Sequence, residues 1–209
     1  MPIGTLEAIR RYPIKSLRGV ALDSVEVKTS GIPGDRSDAL FALHGMREGK
    51  TYRGKEHDRF HLLRDAAGAQ ACAKERGVAV EVRLGEHFFD VAPISILVDE
   101  WLRDLDAHVG YNVEWERFRP NFFVRSEANA QPVPSEQTLA GAGLQLGTVR
   151  LRVRSPIERC VTITYHPLGE TADPRILRFL AEQRDAWMGI YCDVLDPGIA
   201  RVGDPLILF

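Results

Sequence analysis

Apolar and polar residues alternate in short runs along most of this chain. Glycine, proline or aspartate closes most of the runs, a pattern that predicts many short β-strands. Residues 4–13 read as a strand leading into a turn, 22–29 as a second strand and 39–43 as a short apolar third. Gly31-Ile32-Pro33-Gly34-Asp35 is a turn cluster, and the polar, glycine-bearing 45–56 stretch is a loop. Between 78 and 84, Val78, Val80, Val82 and Leu84 alternate with Ala79, Glu81 and Arg83, as in a half-buried strand. Segments 113–118 and 122–125 are predicted strands on either side of Arg119-Pro120-Asn121, and 128–135 is a proline-bearing surface loop. Residues 144–146 and 149–153 form a hairpin about Gly147-Thr148. Val161-Thr162-Ile163-Thr164 reads as a strand with Cys160 at its start, and 191–195 and 205–209 close the set around Asp196-Pro197-Gly198.

Helical signals are fewer. Alanines and Lys74-Glu75-Arg76 favour a helix within 62–76, ended by Gly77. Ser95 suits the N-cap of a helix whose apolar positions are Ile96, Leu97, Trp101, Leu102 and Leu105. Asp173-Pro174 opens another, with Ile176, Leu177 and Leu180 on its apolar face, fading near Trp187. Many short strands with a few helices imply a β-barrel-rich fold.

Composition narrows the function classes. The chain has 209 residues, 44% hydrophobic and 27% charged, with a net charge of −2, enough for a substantial core and without general attraction for nucleic acid. The only cysteines, Cys72, Cys160 and Cys192, do not form a disulfide framework and suit a reducing compartment. Neither a secretory signal nor an apolar run of membrane-spanning length is present, so the expectation is a soluble cytoplasmic protein with no membrane partner. His57 and His61 are spaced to share a helix face, but further zinc ligands are not assignable. Cys160 follows Arg159, and a cationic neighbour stabilises a thiolate, the form that binds a soft metal or attacks sulfur.

Six segments, in order, carry a family resemblance. They are Tyr12-Pro13-Ile14-Lys15-Ser16-Leu17-Arg18-Gly19, Gly31 through Gly34-Asp35-Arg36, Arg119-Pro120-Asn121, Arg159-Cys160, Gly189-Ile190-Tyr191, and Pro197-Gly198-Ile199-Ala200-Arg201-Val202-Gly203-Asp204. Together they resemble the MOSC family, the molybdenum-cofactor sulfurase C-terminal domain, in the subset with an N-terminal β-barrel partner that includes amidoxime-reducing molybdoenzymes. The resemblance implies a mainly β (α+β) fold: a MOSC-type β-barrel over 93–209 packed with an N-terminal β-barrel-like unit over 1–92 and a few helices. It also implies a molybdenum–molybdopterin cofactor, with Cys160 as the metal ligand. Lys15, Ser16, Arg36, Arg119, Asn121, Arg159 and Tyr191 are then the cofactor-binding positions. The implied activity is reduction of N-hydroxylated or N-oxide small molecules with electrons from a separate reductase. Several converging cations suit a phosphate-bearing cofactor, and a thiolate suits a high-valent metal.

The chain departs from the family at informative places. Glu158 stands where reductase-type members carry Cys or Ser, and His166-Pro167 replaces the usual Asp-Pro. Ser135-Glu136-Gln137-Thr138 lies near the expected acidic–aromatic pair. Glu158, Cys160 and His166 together suggest an alternative, a metal-independent enzyme or sulfur carrier using acid–base or covalent chemistry. A third reading is a non-enzymatic module that binds an anionic ligand through Lys15, Arg36 and Arg119.

Overall fold

The computed structural model describes residues 2–55, 58–85, 87–126 and 133–209. In chain order the elements are β1 (Pro2–Arg11), β2 (Val20–Leu22), β3 (Ser24–Val27), β4 (Ala39–Ala42), α1 (Ala66–Glu75), β5 (Val80–Arg83), β6 (Ile94–Val98) and α2 (Arg103–Val109). They continue with β7 (Phe122–Ser126), β8 (Gly143–Leu146), β9 (Val149–Glu158), α3 (Pro174–Gln183), β10 (Trp187–Asp196), β11 (Gly198–Arg201) and β12 (Pro205–Leu208).

Seven strands close a barrel in the order β12-β8-β9-β10-β6-β7-β1, with β1 pairing back onto β12 and β2 attached beside β1. The fold is therefore mainly β with few helices, as the sequence predicts. Closure satisfies the ladder on both sides of each barrel strand. The pairings are antiparallel except β6–β7, which is parallel. A parallel pair needs a crossover, and the segment carrying α2 supplies it. β1 belongs to the N-terminal stretch yet lies between β12 and β7, so both ends of the chain build one barrel. Its interior is packed with side chains such as Leu6, Ile9, Ile96, Leu144, Leu151 and Ile190. Beside it, the β4–β5 ladder and α1 enclose a smaller core of Leu17, Leu40, Tyr52, Phe60, Cys72 and Val80.

Several local expectations are corrected. Ser95 does not cap a helix; it lies in β6, whose five residues are all buried. A strand covered on both faces loses its period of two, so a short apolar run reads equally well as helix. The helical spacing that follows resolves into a 3₁₀ turn, Asp99–Leu102, and the short α2. Segment 113–118 is not a strand, because Trp115–Phe118 forms a 3₁₀ turn. Val161–Thr164 is also 3₁₀, with the Thr164 hydroxyl donating to the Val161 carbonyl at 2.7 Å. A threonine that bonds its own local backbone competes with the strand ladder. The 22–29 strand is instead the separate strands β2 and β3, which pair with β1 and β11 respectively. Loop 45–56 contains the 3₁₀ turn Gly45–Arg47 and bridges to Phe41 and Ala42; Glu56, and most of loop 128–135, lie outside the described residues. The α3 helix ends at Gln183. Asp185 and Ala186 then turn the chain with positive φ angles, and Trp187 begins β10.

Candidate functional site

A cavity of about 390 Å³, a size typical of small-molecule sites, is lined by barrel-strand residues such as Ser95 and Tyr191 and by loop residues such as Lys15 and Arg53. All ten candidate residues line it: Lys15, Ser16, Arg36, Arg119, Asn121, Glu158, Arg159, Cys160, His166 and Tyr191. Its described lining also holds nine cationic side chains (Arg10, Lys15, Arg18, Arg36, Arg53, Lys55, Arg117, Arg119, Arg159) against four carboxylates (Asp90, Glu114, Glu116, Glu158), in a chain whose net charge is −2. Positive charge is thus concentrated in one concavity, where low-dielectric walls strengthen the attraction for an anion.

Tyr12, not singled out from the sequence, organises the cationic wall. Its buried ring packs against two guanidinium groups, Arg36 at 4.7 Å and Arg119 at 4.3 Å from the ring centroid. The Tyr12 hydroxyl donates to the Pro120 carbonyl at 3.1 Å, and its backbone N–H donates to Asp35 at 2.6 Å. Burial pushes the phenol up to about 12, so it stays neutral across the physiological range. Arg36 opposes its own burial by an ion pair with Asp35, which, with Tyr12, holds the guanidinium above its ordinary value. It also donates to the Arg119 carbonyl at 3.2 Å.

Arg119 and Arg159 are different, for neither has a carboxylate partner among the described residues. Arg119 donates to the Leu17 carbonyl at 2.6 Å. Arg159 donates through Nε to Met188 at 2.7 Å and through Nη1 to Phe118 at 2.9 Å, while its buried Nη2 has no partner. Burial lowers both to about 10, and both remain cationic at neutral pH. A half-buried charge without a counter-ion is costly and is relieved by an anionic ligand. Backbone strain points to the same place. Among the described non-glycine residues, five have positive φ, and three of those are Ser16 (72°), Arg36 (47°) and Arg119 (51°). Such strain gathers where a structure forces residues towards a ligand.

The remaining candidates divide by function within the fold. The Asn121 Oδ1 accepts from Ser95 N–H at 3.1 Å, Ser95 Oγ at 2.9 Å and Arg36 Nη1 at 3.4 Å, and Nδ2 donates to the Arg10 carbonyl at 3.2 Å. It therefore ties β1 and β6 beneath Arg36 and acts through it. Lys15 donates to Asp90 at 2.6 Å. Tyr191 stands on β10 close to Arg159 and Arg36, and burial pushes its phenol up. Gly189, at a break in the β9–β10 register, has φ of 85°, and a Cβ there would meet the Ile96 carbonyl oxygen at 2.8 Å and Arg159 Nη2 at 3.1 Å. Buried Glu136 holds this turn by accepting from Gly189 N–H at 3.2 Å and from Arg184 Nη2 at 2.8 and 2.7 Å.

Cys160 is exposed at the cavity, and its Sγ lies 3.3 Å from Thr162 Oγ1. Cys72 and Cys192 are buried, and burial pushes the Cys192 thiol up. Cys160 forms no hydrogen bond to Glu158 or His166 among the described residues. The His166 Nδ1 accepts from Leu168 N–H at 3.1 Å, which leaves the proton on Nε2, 3.2 Å from Glu114. Glu114 in turn binds Arg117 at 2.6 Å, and with burial opposing, its hydrogen bonds hold its carboxyl below the usual range. Glu158 is exposed at the end of β9 and does not pair with Arg159. His61, also on the lining, places Nε2 2.8 Å from the His166 carbonyl and 3.0 Å from that of Gly169; His57 lies outside the described residues.

The MOSC domain model matches residues 84–207, more than half of the chain, and the MOSC N-terminal beta barrel domain model matches residues 3–88. This chain belongs to the MOSC family. No curated protein matches this MOSC sequence. Among solved structures, the YuaD protein of Bacillus subtilis shares 19% identity at a TM-score of 0.59, over 98% of this chain and 94% of that one. YiiM from Escherichia coli shares 16% identity at a TM-score of 0.45, over 96% of this chain and 70% of that one. The YuaD likeness shows the shared MOSC fold. Among the described residues, no helix of this MOSC protein is long and apolar enough to cross a membrane.

Proposed function

We propose that the cavity binds a phosphate-bearing molybdenum–pterin cofactor and that the protein is a cytoplasmic oxidoreductase reducing N-hydroxylated or N-oxide small molecules. The observation that carries the reading is the pair of half-buried guanidiniums without carboxylate partners among the described residues, Arg119 and Arg159, on a lining shared with an exposed thiol, Cys160. The donor set fits the group. Arg36, Arg119, Lys15 and the Ser16 hydroxyl, all on the lining, would hold the phosphate. Arg159 and Tyr191 would contact the pterin, and Cys160 would be a soft ligand for the metal.

When bound, the cofactor supplies two-electron oxygen-atom transfer. The protein's own residues bind, orient and supply protons. The Arg36–Tyr12–Arg119 stack fixes the donors in place before ligand arrives, which lowers the ordering cost of binding. His166, with Nε2 3.2 Å from Glu114 on the cavity lining, would supply a proton to the N–O bond being broken. The net reaction converts an N–OH group, two electrons and two protons into N–H and water. Its electrons come from a separate reductase.

The test is metal and pterin analysis of protein purified from a host that makes the cofactor. Molybdenum and a released fluorescent pterin at near one equivalent each are expected in the parent. Both should fall sharply in Arg119→Gln and Cys160→Ser. Protein that is folded but free of molybdenum and pterin would overturn the reading.

A further inference from the structure

One carboxylate stands among the predicted cofactor-binding positions. Asp90 lines the cavity and accepts from Lys15 Nζ at 2.6 Å. Its charge also reaches two more of those positions. Burial lowers Arg119 and Asp90 opposes that shift, while burial and then Asp90 push the Tyr191 phenol up. The described residues of 84–93, between β5 and β6, form no helix or strand, yet the chain is fixed on either side of Asp90. Phe88 N–H donates to the Arg36 carbonyl at 2.9 Å, and Arg154 Nη1 donates to the Val91 carbonyl at 2.8 Å. The backbone therefore presents Asp90 to the cationic wall. The two partners are unequally covered: the Lys15 side chain is 14% exposed and that of Asp90 is 59% exposed. An ammonium so covered needs an anion beside it, whereas the carboxylate can turn to water when another anion takes its place.

We propose that Asp90 is an internal competitor for the anion subsite: it engages Lys15 until a phosphate-bearing ligand arrives, and the phosphate displaces it. This rests on the anion-binding part of the proposed function, not on the metal or the reduction. A phosphate group carries more charge and more acceptor oxygens than a carboxylate. It can engage Arg36 and Arg119 together with Lys15, all on the same lining, so the exchange runs forward. The exchange still opposes binding, because the Lys15–Asp90 pair must break and the displaced carboxylate, held by its backbone, remains near the bound anion. Asp90 thus keeps Lys15 charged and in place while lowering the affinity for the anion.

The probe is inorganic phosphate, titrated calorimetrically at low ionic strength into the full chain made in a host that does not synthesise molybdopterin. The same titration is run on Asp90→Asn, Lys15→Gln and the double variant. Asparagine keeps an oxygen for the Lys15 ammonium and drops the charge. Asp90→Asn should bind phosphate at least about fivefold more tightly than the parent, the factor expected from one solvent-screened charge pair. In the Lys15→Gln background the same change should gain at most about twofold, because no ammonium is there to be freed. Equal or weaker phosphate binding by Asp90→Asn would overturn the proposal and leave the anion-binding reading standing. An equal gain in both backgrounds would overturn it as well, since Asp90 would then act by repulsion alone. No phosphate binding by any of the four proteins would defeat the anion-binding reading itself, and this proposal with it.

Discussion

Tyr12 offers the sharpest test of how the cationic wall is built. In Tyr12→Phe only the hydroxyl is lost, and with it the hydrogen bond to the Pro120 carbonyl at 3.1 Å. A hydrogen bond of this kind contributes roughly 0.5–1.5 kcal/mol net. In Tyr12→Leu the same bond goes and so does the ring, whose centroid lies 4.7 Å from Arg36 and 4.3 Å from Arg119. A partly desolvated cation–π contact is worth roughly 0.5–2 kcal/mol. The leucine variant should therefore lose about 2–5 kcal/mol and the phenylalanine variant about 1 kcal/mol. Urea unfolding measures both. Repeating it with inorganic phosphate separates positioning from packing, because a ligand that binds only the folded state raises stability by mass action. Tyr12→Phe should keep the phosphate-dependent gain and Tyr12→Leu should lose most of it, since its arginines are no longer stacked in place. If the leucine variant is as stable as the phenylalanine variant and gains as much from phosphate, the stack does not organise the site.

Three further outcomes are expected. Gly189→Ala should destabilise the protein by about 2–4 kcal/mol in chemical unfolding, from a positive φ and a methyl group pressed on the Ile96 carbonyl; a loss below about 0.5 kcal/mol would contradict the close approach. Asp173 caps α3 and binds Arg175 and Tyr111, and its carboxyl is held down to about 2. A lowered folded-state value gives stability that is present above the ordinary value and lost as pH falls through the folded one. Asp173→Asn should thus be less stable than the parent near neutrality, with the gap closing between about pH 4 and pH 2. Cys160→Ser should change thermal stability by less than about 0.5 kcal/mol because the thiol is exposed, and a larger loss would place it in the packing.

The barrel strands were readable wherever one face is buried and the other is wet. β8 and β9 alternate as predicted about Gly147-Thr148, and Asp173-Pro174 opens α3 as its cap and first turn require. β6 was misread because burial on both sides erases the alternation. The Cys160 turn was misread because Thr164 bonds to local backbone, which the apolar pattern does not encode. The ten candidate residues come from distant segments and are brought to one cavity by the fold; the resemblance, not local pattern, pointed to them. Tyr12 was passed over for the opposite reason: a tyrosine between Arg11 and Pro13 carries no local sign that two arginines, from beyond Asp35 and from beyond Phe118, will close on its ring. The ion pair of Lys15 with Asp90 and the link of His166 to Glu114 are likewise products of the tertiary fold.

The position of β1 has a consequence for synthesis. Pro2 stands opposite Ile207, and Gly4 opposite Ser126, so the strand made first is held between two that are made much later. Until β7 emerges, β1 has no barrel partner, and until β12 emerges the ring is open. A nascent chain therefore carries an apolar strand paired only at its end with β2 until β7 is made, a state prone to mispairing. Contacts so far apart in sequence also make closure slow. The smaller core around Phe60 and α1 can assemble earlier from nearby residues. Refolding should accordingly be biphasic in hydrogen exchange, with α1 and β5 amides protected before those of β1.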